Sequence, residues 1–177
     1  MKTLITTLLF IAPALCNAQA NIFLQAGPVL AKGYNGVSAG IGIKTSSSTE
    51  KPFGMQFAVN YLNLSYKSGY FKYNANFVSI DALAAVTTMK EKDLNIHIAG
   101  GLSLLMNVGK VKIAGNNYVA ASSAFMPKLE AGIGFSRVIF KAGMYVDVNK
   151  SLDVPLFVPE VAIYPFFKRK STQQKEP

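Results

Sequence analysis

The chain has 177 residues, half of them hydrophobic and only 15% charged, against roughly a quarter charged in soluble proteins. Its longest apolar runs are about a dozen residues, short of the roughly 20 that a membrane-spanning helix requires, so a helical membrane protein is excluded. Disorder is excluded too, because a chain this apolar can bury enough surface to fold.

Met1–Ala20 has the layout of an export signal. Lys2 gives a positive start, Leu4–Leu15 an apolar stretch, and Ala18-Gln19-Ala20 a small-x-small cleavage site, so the mature chain is expected to begin at Asn21. A lipoprotein signal ending at Cys16 is the rival, but Leu15 stands where a small residue is needed. Cleavage would remove the single cysteine, and with it any disulfide, thiol nucleophile or thiolate metal site. It would also leave a net charge of +8, because Lys2 is the one charged residue lost from the total of +9. For an exported chain, that basic balance points to anionic lipid or surface polysaccharide rather than nucleic acid.

From Asn21 onward the hydrophobic pattern alternates at period two, as in strands with one apolar face. Eight segments are expected, in chain order near Ile22–Leu30, Gly36–Lys44, Phe53–Tyr66, Ala75–Thr88, Leu94–Asn107, Lys128–Arg137, Val138–Asn149 and Leu156–Phe167. In the fifth, Leu94, Ile96, Ile98, Leu102, Leu104 and Met106 oppose Asn95, His97, Ala99, Gly101, Ser103 and Asn107. In the seventh, Val138, Phe140, Ala142, Met144 and Val146 oppose Lys141, Gly143, Tyr145 and Asp147. The fold class is all-β, with an even number of strands.

The face opposite the large apolar residues is rich in Gly, Ser, Ala and Asn and carries few charges. Water-facing strand surfaces usually carry many Lys, Glu and Thr. Small residues with isolated charges suit the cramped interior of a narrow barrel, whose apolar face then meets lipid. The connections alternate in the same sense. Thr45–Pro52, Met89–Asp93 and Ser136–Arg137 are expected at the periplasmic end, and Ala31–Asn35, Lys67–Asn74, Val108–Pro127 and Lys150–Pro155 at the outer end.

An export signal, the opening Phe23-Leu24-Gln25-Ala26-Gly27-Pro28, the Gly-rich Leu129-Glu130-Ala131-Gly132-Ile133-Gly134-Phe135 and an aromatic-rich last strand occur together. This chain resembles the small eight-stranded outer-membrane barrels, the OmpA/OmpX-like and Bacteroidetes PorT-like group. The resemblance implies an antiparallel up-and-down transmembrane barrel over residues 21–167, followed by a polar tail over 168–177. It also implies residence in the outer membrane, contact with its lipid, and insertion by the outer-membrane assembly machinery. Pro28 falls in the first strand and Pro159 and Pro165 in the last, so a bulged or shortened seam is expected where those strands close the barrel.

The expected interior collects Lys44, Asp81, His97, Lys128, Glu130, Lys141, Asp147 and Glu160. Buried charges pair, so these read as an ion-paired plug, with Lys141 between Glu130 and Glu160 and Tyr145 above them. About eight strands leave an interior just wide enough for side chains, which argues against a wide channel. His97 is the single histidine, with no cysteine beside it in the mature chain. Neither a metal site, a cofactor nor a catalytic residue is expected. The aromatics Tyr61, Tyr66, Tyr70, Phe71, Tyr73, Tyr164, Phe166 and Phe167 are expected in interfacial belts.

The outer connections hold Lys32, Lys67, Lys72, Lys110, Lys112 and Lys150 against Asp153 alone, a net of +5 suited to lipopolysaccharide phosphates or acidic glycans. Within the longest of them, Lys110, Lys112, Asn116, Asn117 and Tyr118 form a candidate surface-interaction loop. Gly115-Asn116-Asn117 is its expected turn, and the loop is expected to prolong the fifth and sixth segments above the membrane. The expected function is a non-enzymatic outer-membrane barrel serving envelope structure, surface interaction or assembly. The alternatives are a soluble lipocalin-like barrel holding a hydrophobic ligand, a lipid A-modifying barrel enzyme and a small pore.

Overall fold

A computed structural model describes residues 19–31, 33–46, 53–68, 71–88, 94–108, 110–113, 116–119, 123–135, 137–146 and 155–165. The polar tail and all of the expected export signal except Gln19 and Ala20 lie outside the described residues. Ten strands occur among them: β1 (Gln19–Ala31), β2 (Tyr34–Ser46), β3 (Phe53–Ser68), β4 (Phe71–Thr87), β5 (Leu94–Asn107), β6 (Lys110–Ile113), β7 (Asn116–Val119), β8 (Ser123–Phe135), β9 (Val138–Tyr145) and β10 (Leu156–Ile163). The sheet runs β3-β2-β1-β10-β9-β8-β5-β4, and β3 pairs with β4. These eight strands therefore close into an up-and-down antiparallel barrel, and β6 and β7 continue the sheet beyond β4.

Alternation sets which side chain faces where. Along β5, Asn95, His97, Ala99, Ser103 and Leu105 are buried, whereas Leu94, Ile96, Ile98 and Leu102 are exposed. Phe125, Ile133, Phe135 and Val37 are each at least half exposed, at 66%, 54%, 61% and 60%. A soluble protein rarely leaves so continuous an apolar wall bare. The lipocalin-like alternative needed Val37, Ile41, Leu102, Leu104, Ile133 and Phe135 to line an interior. Five of them are exposed on the outer wall and Leu104 is half-buried.

At four places among the described strands only two residues separate the paired ends, Ser68 from Phe71 and Ile113 from Asn116 among them. Ala31 pairs with Tyr34 across Lys32–Gly33, and Phe135 pairs with Val138 across Ser136–Arg137. Gly33 has φ 81°, the left-handed conformation that glycine adopts without strain in such turns.

Several boundaries differ from those expected. β1 starts at Gln19, two residues before the expected mature start. β8 starts at Ser123, so Ser123–Pro127, expected in the loop, is strand; Pro127 faces Leu102 and its carbonyl accepts from Val146 N at 2.9 Å. β9 ends at Tyr145 and β10 at Ile163, both short of the expected limits. In the longest outer connection, Ile113 pairs with Asn116. Asn116 and Asn117 therefore belong to β7 rather than to the expected turn. Asn74 pairs with Lys112, so β6 follows the line of β5 along β4, two residues out of the β4–β5 register.

The seam between β1 and β10 keeps one register throughout, with Ala26 opposite Val161 and Leu30 opposite Phe157. The expected bulge is therefore absent among the described residues. Between those rungs Pro28 and Pro159 occupy facing positions, and two amide donors are missing from the wall. Close approach compensates, since a Cβ on Gly27 would lie 1.8 Å from the Pro159 carbonyl oxygen. Gly27→Ala should accordingly destabilise the barrel by about 1–3 kcal/mol, as overpacking does. The folded, fast-migrating gel form should convert to the unfolded form at a lower temperature than in the unaltered chain.

Candidate functional site

The lumen is the most distinctive chemical environment of the fold. Seventeen polar or charged side chains among the described residues are buried, including Lys44, Asp81, His97, Lys128, Glu130, Lys141 and Glu160. Their strands place them alternately inward, and several other inward positions are taken by glycine or alanine. Gly40 shows why: a Cβ there would sit 1.9 Å from Asn60 Oδ1.

Two carboxylates organise the network. Asp81 of β4 accepts from Ser103 Oγ at 2.6 Å through Oδ1, and from Lys128 Nζ at 2.6 Å and Asn60 Nδ2 at 2.8 Å through Oδ2. Asn60 also donates to Ser79 Oγ at 3.0 Å and accepts from Gln25 Nε2. Glu130 of β8 accepts from Lys141 Nζ at 2.9 Å, Gln56 Nε2 at 3.0 Å and His97 Nε2 at 3.3 Å, all through Oε2. Its Oε1 lies 2.8 Å from Lys128 Nζ, a charge contact outside hydrogen-bond alignment. Lys128 therefore bridges the two acids, and its ammonium also lies 4.6 Å from the centre of the Tyr145 ring. Lys141 bridges Glu130 to Glu160, 3.6 Å away, and Glu160 in turn accepts from Ser38 Oγ at 2.9 Å.

His97 belongs to the same network. Lys44 Nζ donates to Thr87 Oγ1, whose hydroxyl is 2.8 Å from His97 Nδ1. With its oxygen accepting from Lys44, the Thr87 hydroxyl proton is free to point at Nδ1. Nε2 then carries the imidazole proton and donates it to Glu130. The serines do not approach His97. Ser103 bonds to Asp81, and Ser79 bonds to Asn60 and lies 3.3 Å from the Tyr145 hydroxyl. No nucleophile–base pair is formed at His97 by these residues.

Three lysines face three carboxylates here, so the described network balances with His97 neutral. Asp147, expected inside, lies outside the described residues. Towards the outer end the lumen becomes apolar, closed by Val29, Leu62, Leu64, Ala75, Phe77, Leu105, Met126, Leu156 and Val158 packed with Tyr145. Near the other end Phe23, Ala58, Ile139, Ala162 and Tyr164 pack together, with the Phe23 and Tyr164 rings 5.3 Å apart. Tyr164 was expected in an interfacial belt; it points inward because it shares the parity of Leu156, Val158 and Glu160. Exposed Phe53 and Phe135 mark the lower rim instead, and Tyr61, Phe125 and Phe157 the upper part of the wall. Among the described residues no His/Cys/Asp/Glu group has a metal-binding arrangement. Gln25, Ser38, Gln56, Asn60 and Thr87 were not among the expected site residues, though the inward parity of their strands marks them.

The comparisons agree on the fold. Neisserial surface protein A matches with a TM-score of 0.56 at 14% identity, over 82% of this chain and 96% of that one. Ail, the attachment invasion locus protein of Yersinia pestis, solved with the heparin analogue sucrose octasulfate, matches with a TM-score of 0.54 at 10% identity, over 82% and 96%. The outer membrane enzyme PagL matches with a TM-score of 0.50 at 12% identity, over 80% and 99%. No family model and no curated protein matches the sequence. The fold is thus that of the small eight-stranded outer-membrane barrels.

Removing Glu130 leaves Lys128 with Asp81 and Lys141 with Glu160 as their remaining carboxylates, and the interior with one uncompensated positive charge. Glu130→Ala should cost about 3–5 kcal/mol. Glu130→Leu combined with Lys141→Met, which removes one charge of each sign, should cost less than the two single changes summed. Urea unfolding in detergent micelles, followed by far-ultraviolet circular dichroism, measures both.

Proposed function

We propose that this chain resides in the outer membrane as a non-enzymatic barrel with a filled, non-conducting lumen. Its rigid wall carries an outer rim that acts in surface interaction and envelope structure. The observation that carries this reading is the interior: a charge-balanced network in mid-barrel, capped by an apolar layer in the outer half. An aqueous path would have to cross that apolar layer, and each ion in the network already has partners within the protein. The bare Ile, Leu, Val and Phe wall supports residence in lipid.

An enzyme reading has one source of support, the likeness of fold to PagL. Fold alone does not carry an activity. His97 is held between Thr87 and Glu130, with side-chain exposure of 0%. The basic outer connections fit an anionic surface partner, and the Ail structure holds a sulfated heparin analogue. For this chain that class of partner is part of the proposal.

Four outcomes are expected. The chain fractionates with the outer membrane and shows heat-modifiable gel mobility; recovery as a soluble periplasmic protein would overturn the reading. In planar bilayers it adds no stepwise conductance, and regular single-channel steps would refute a sealed lumen. Ile133→Arg, at an outward position on the wall, should destabilise the bilayer-inserted form by about 2–4 kcal/mol if it lies near the bilayer midplane. His97→Ala should leave the lipid A profile of the cell unchanged.

A further inference from the structure

The seam between β1 and β10 keeps its register but has a gap in its hydrogen bonding. Backbone pairing lapses over Gly27–Glu160, Pro28–Pro159 and Val29–Val158 and resumes at Leu30–Phe157. The Tyr164 N–H donates to the carbonyl of Arg137, the residue before β9. Backbone groups of alternate residues address opposite neighbours, so even-numbered residues of β10 address β9 and odd-numbered ones, Pro159 included, address β1. Pro28 and Pro159 therefore meet where two reciprocal N–H···O bonds belong, and neither has an N–H to give. Their carbonyls are left in the gap without amide donors. Gly27 comes close to the Pro159 oxygen, but a C–H donor is a weak substitute.

The outer wall is grooved at this gap. Pro28, Pro159, Ala142 and Ala131 lie side by side on β1, β10, β9 and β8, at outward positions. Above them run the exposed side chains of Phe157, Met144 and Leu129, and below them those of Val161, Phe140 and Ile133. The small residues thus form a trough between two apolar ridges, and the trough crosses both prolines.

Depth and chemistry select its occupant. Along β1 the outward residues Ile22, Leu24, Ala26, Pro28 and Leu30 are all apolar, and Leu30 is the last before the Lys32–Gly33 turn. With a rise of about 3.4 Å per residue and a strand tilt of about 40°, Pro28 lies about 5 Å below the Leu30 level. Backbone acceptors at that depth need a donor within the hydrocarbon. An unsubstituted acyl chain fits the trough but has none. A second copy of this chain has none either, because its wall at this height carries Leu, Phe, Ile and Val. A hydroxyl on one of the first carbons of an acyl chain has both the depth and the proton.

We propose that this trough binds a leaflet lipid whose acyl chain carries a hydroxyl close to its headgroup, the hydroxyl donating to a proline carbonyl of the gap. The proposal rests on outer-membrane residence as argued above and adds a ligand on the wall, below the rim. The test places the full chain in phospholipid nanodiscs with equal traces of phosphatidylethanolamine bearing myristoyl, 3-hydroxymyristoyl or 12-hydroxymyristoyl chains. Retained lipid is counted by native mass spectrometry. The 3-hydroxymyristoyl lipid should be retained roughly three- to tenfold over the other two, as one hydrogen bond provides. Pro28→Val combined with Pro159→Val restores both N–H donors, so the preference should vanish while heat-modifiable mobility persists to at least the same temperature. Ala142→Phe, which fills the trough from the lipid side, should lower the 3-hydroxymyristoyl lipid to the level of the others. Equal retention of the three lipids by the unaltered chain overturns the proposal, as does an unchanged preference in the double valine variant. Failure of the unaltered chain to enter nanodiscs would instead defeat the reading on which the proposal rests.

Discussion

The structure depends on placing three lysines and three carboxylates in a lumen with space only for side chains. None of these ions is stable there alone, so each must meet its partners, and most partners come from other strands. The Gln25–Asn60, Lys44–Thr87, Ser38–Glu160 and Gln56–Glu130 bonds each join strands that are not neighbours in the barrel. They act as ties across the lumen. A register slip of one residue would turn every tied side chain toward lipid and every Ile and Leu of that strand inward. The network thereby holds the register that the hydrophobic pattern chooses.

How much of this was legible follows from what is local. Period two assigns the two faces directly, and neighbouring strands put Lys141 of β9 opposite Glu160 of β10. The bonds across the lumen are not local. That Lys44 reaches Thr87, or Gln56 reaches Glu130, depends on the stagger of a closed barrel, which no single strand encodes. Ser123–Pro127 was hidden for another reason. A proline beside a serine-rich stretch reads as loop, but at a position where its carbonyl accepts and no donor is required, it is compatible with a strand. Tyr164 was within reach of sequence reasoning, since continuing the parity of β10 by one step turns it inward onto Phe23.

The same packing that stabilises the barrel fills much of the lumen with side chains. The apolar layer of Leu62, Leu64, Phe77, Leu105 and Met126 lies between the ions and the outer mouth. Below it, Asp81 is saturated by three donors and Glu130 Oε2 by another three. Four buried acceptors, Gln25 Oε1, Gln56 Oε1, Glu130 Oε1 and Glu160 Oε2, make no hydrogen bond within this network.

What remains adaptable is the part of the sheet that rises above the closed barrel. β4 is longer than its neighbours require for closure, and β6 and β7 extend the sheet beside its upper end. Inside the barrel each lysine meets a carboxylate, whereas along this part the sequence supplies lysines and no carboxylate. The two halves of the molecule thus treat positive charge in opposite ways. Internal charge is cancelled because an isolated ion there would unfold the barrel.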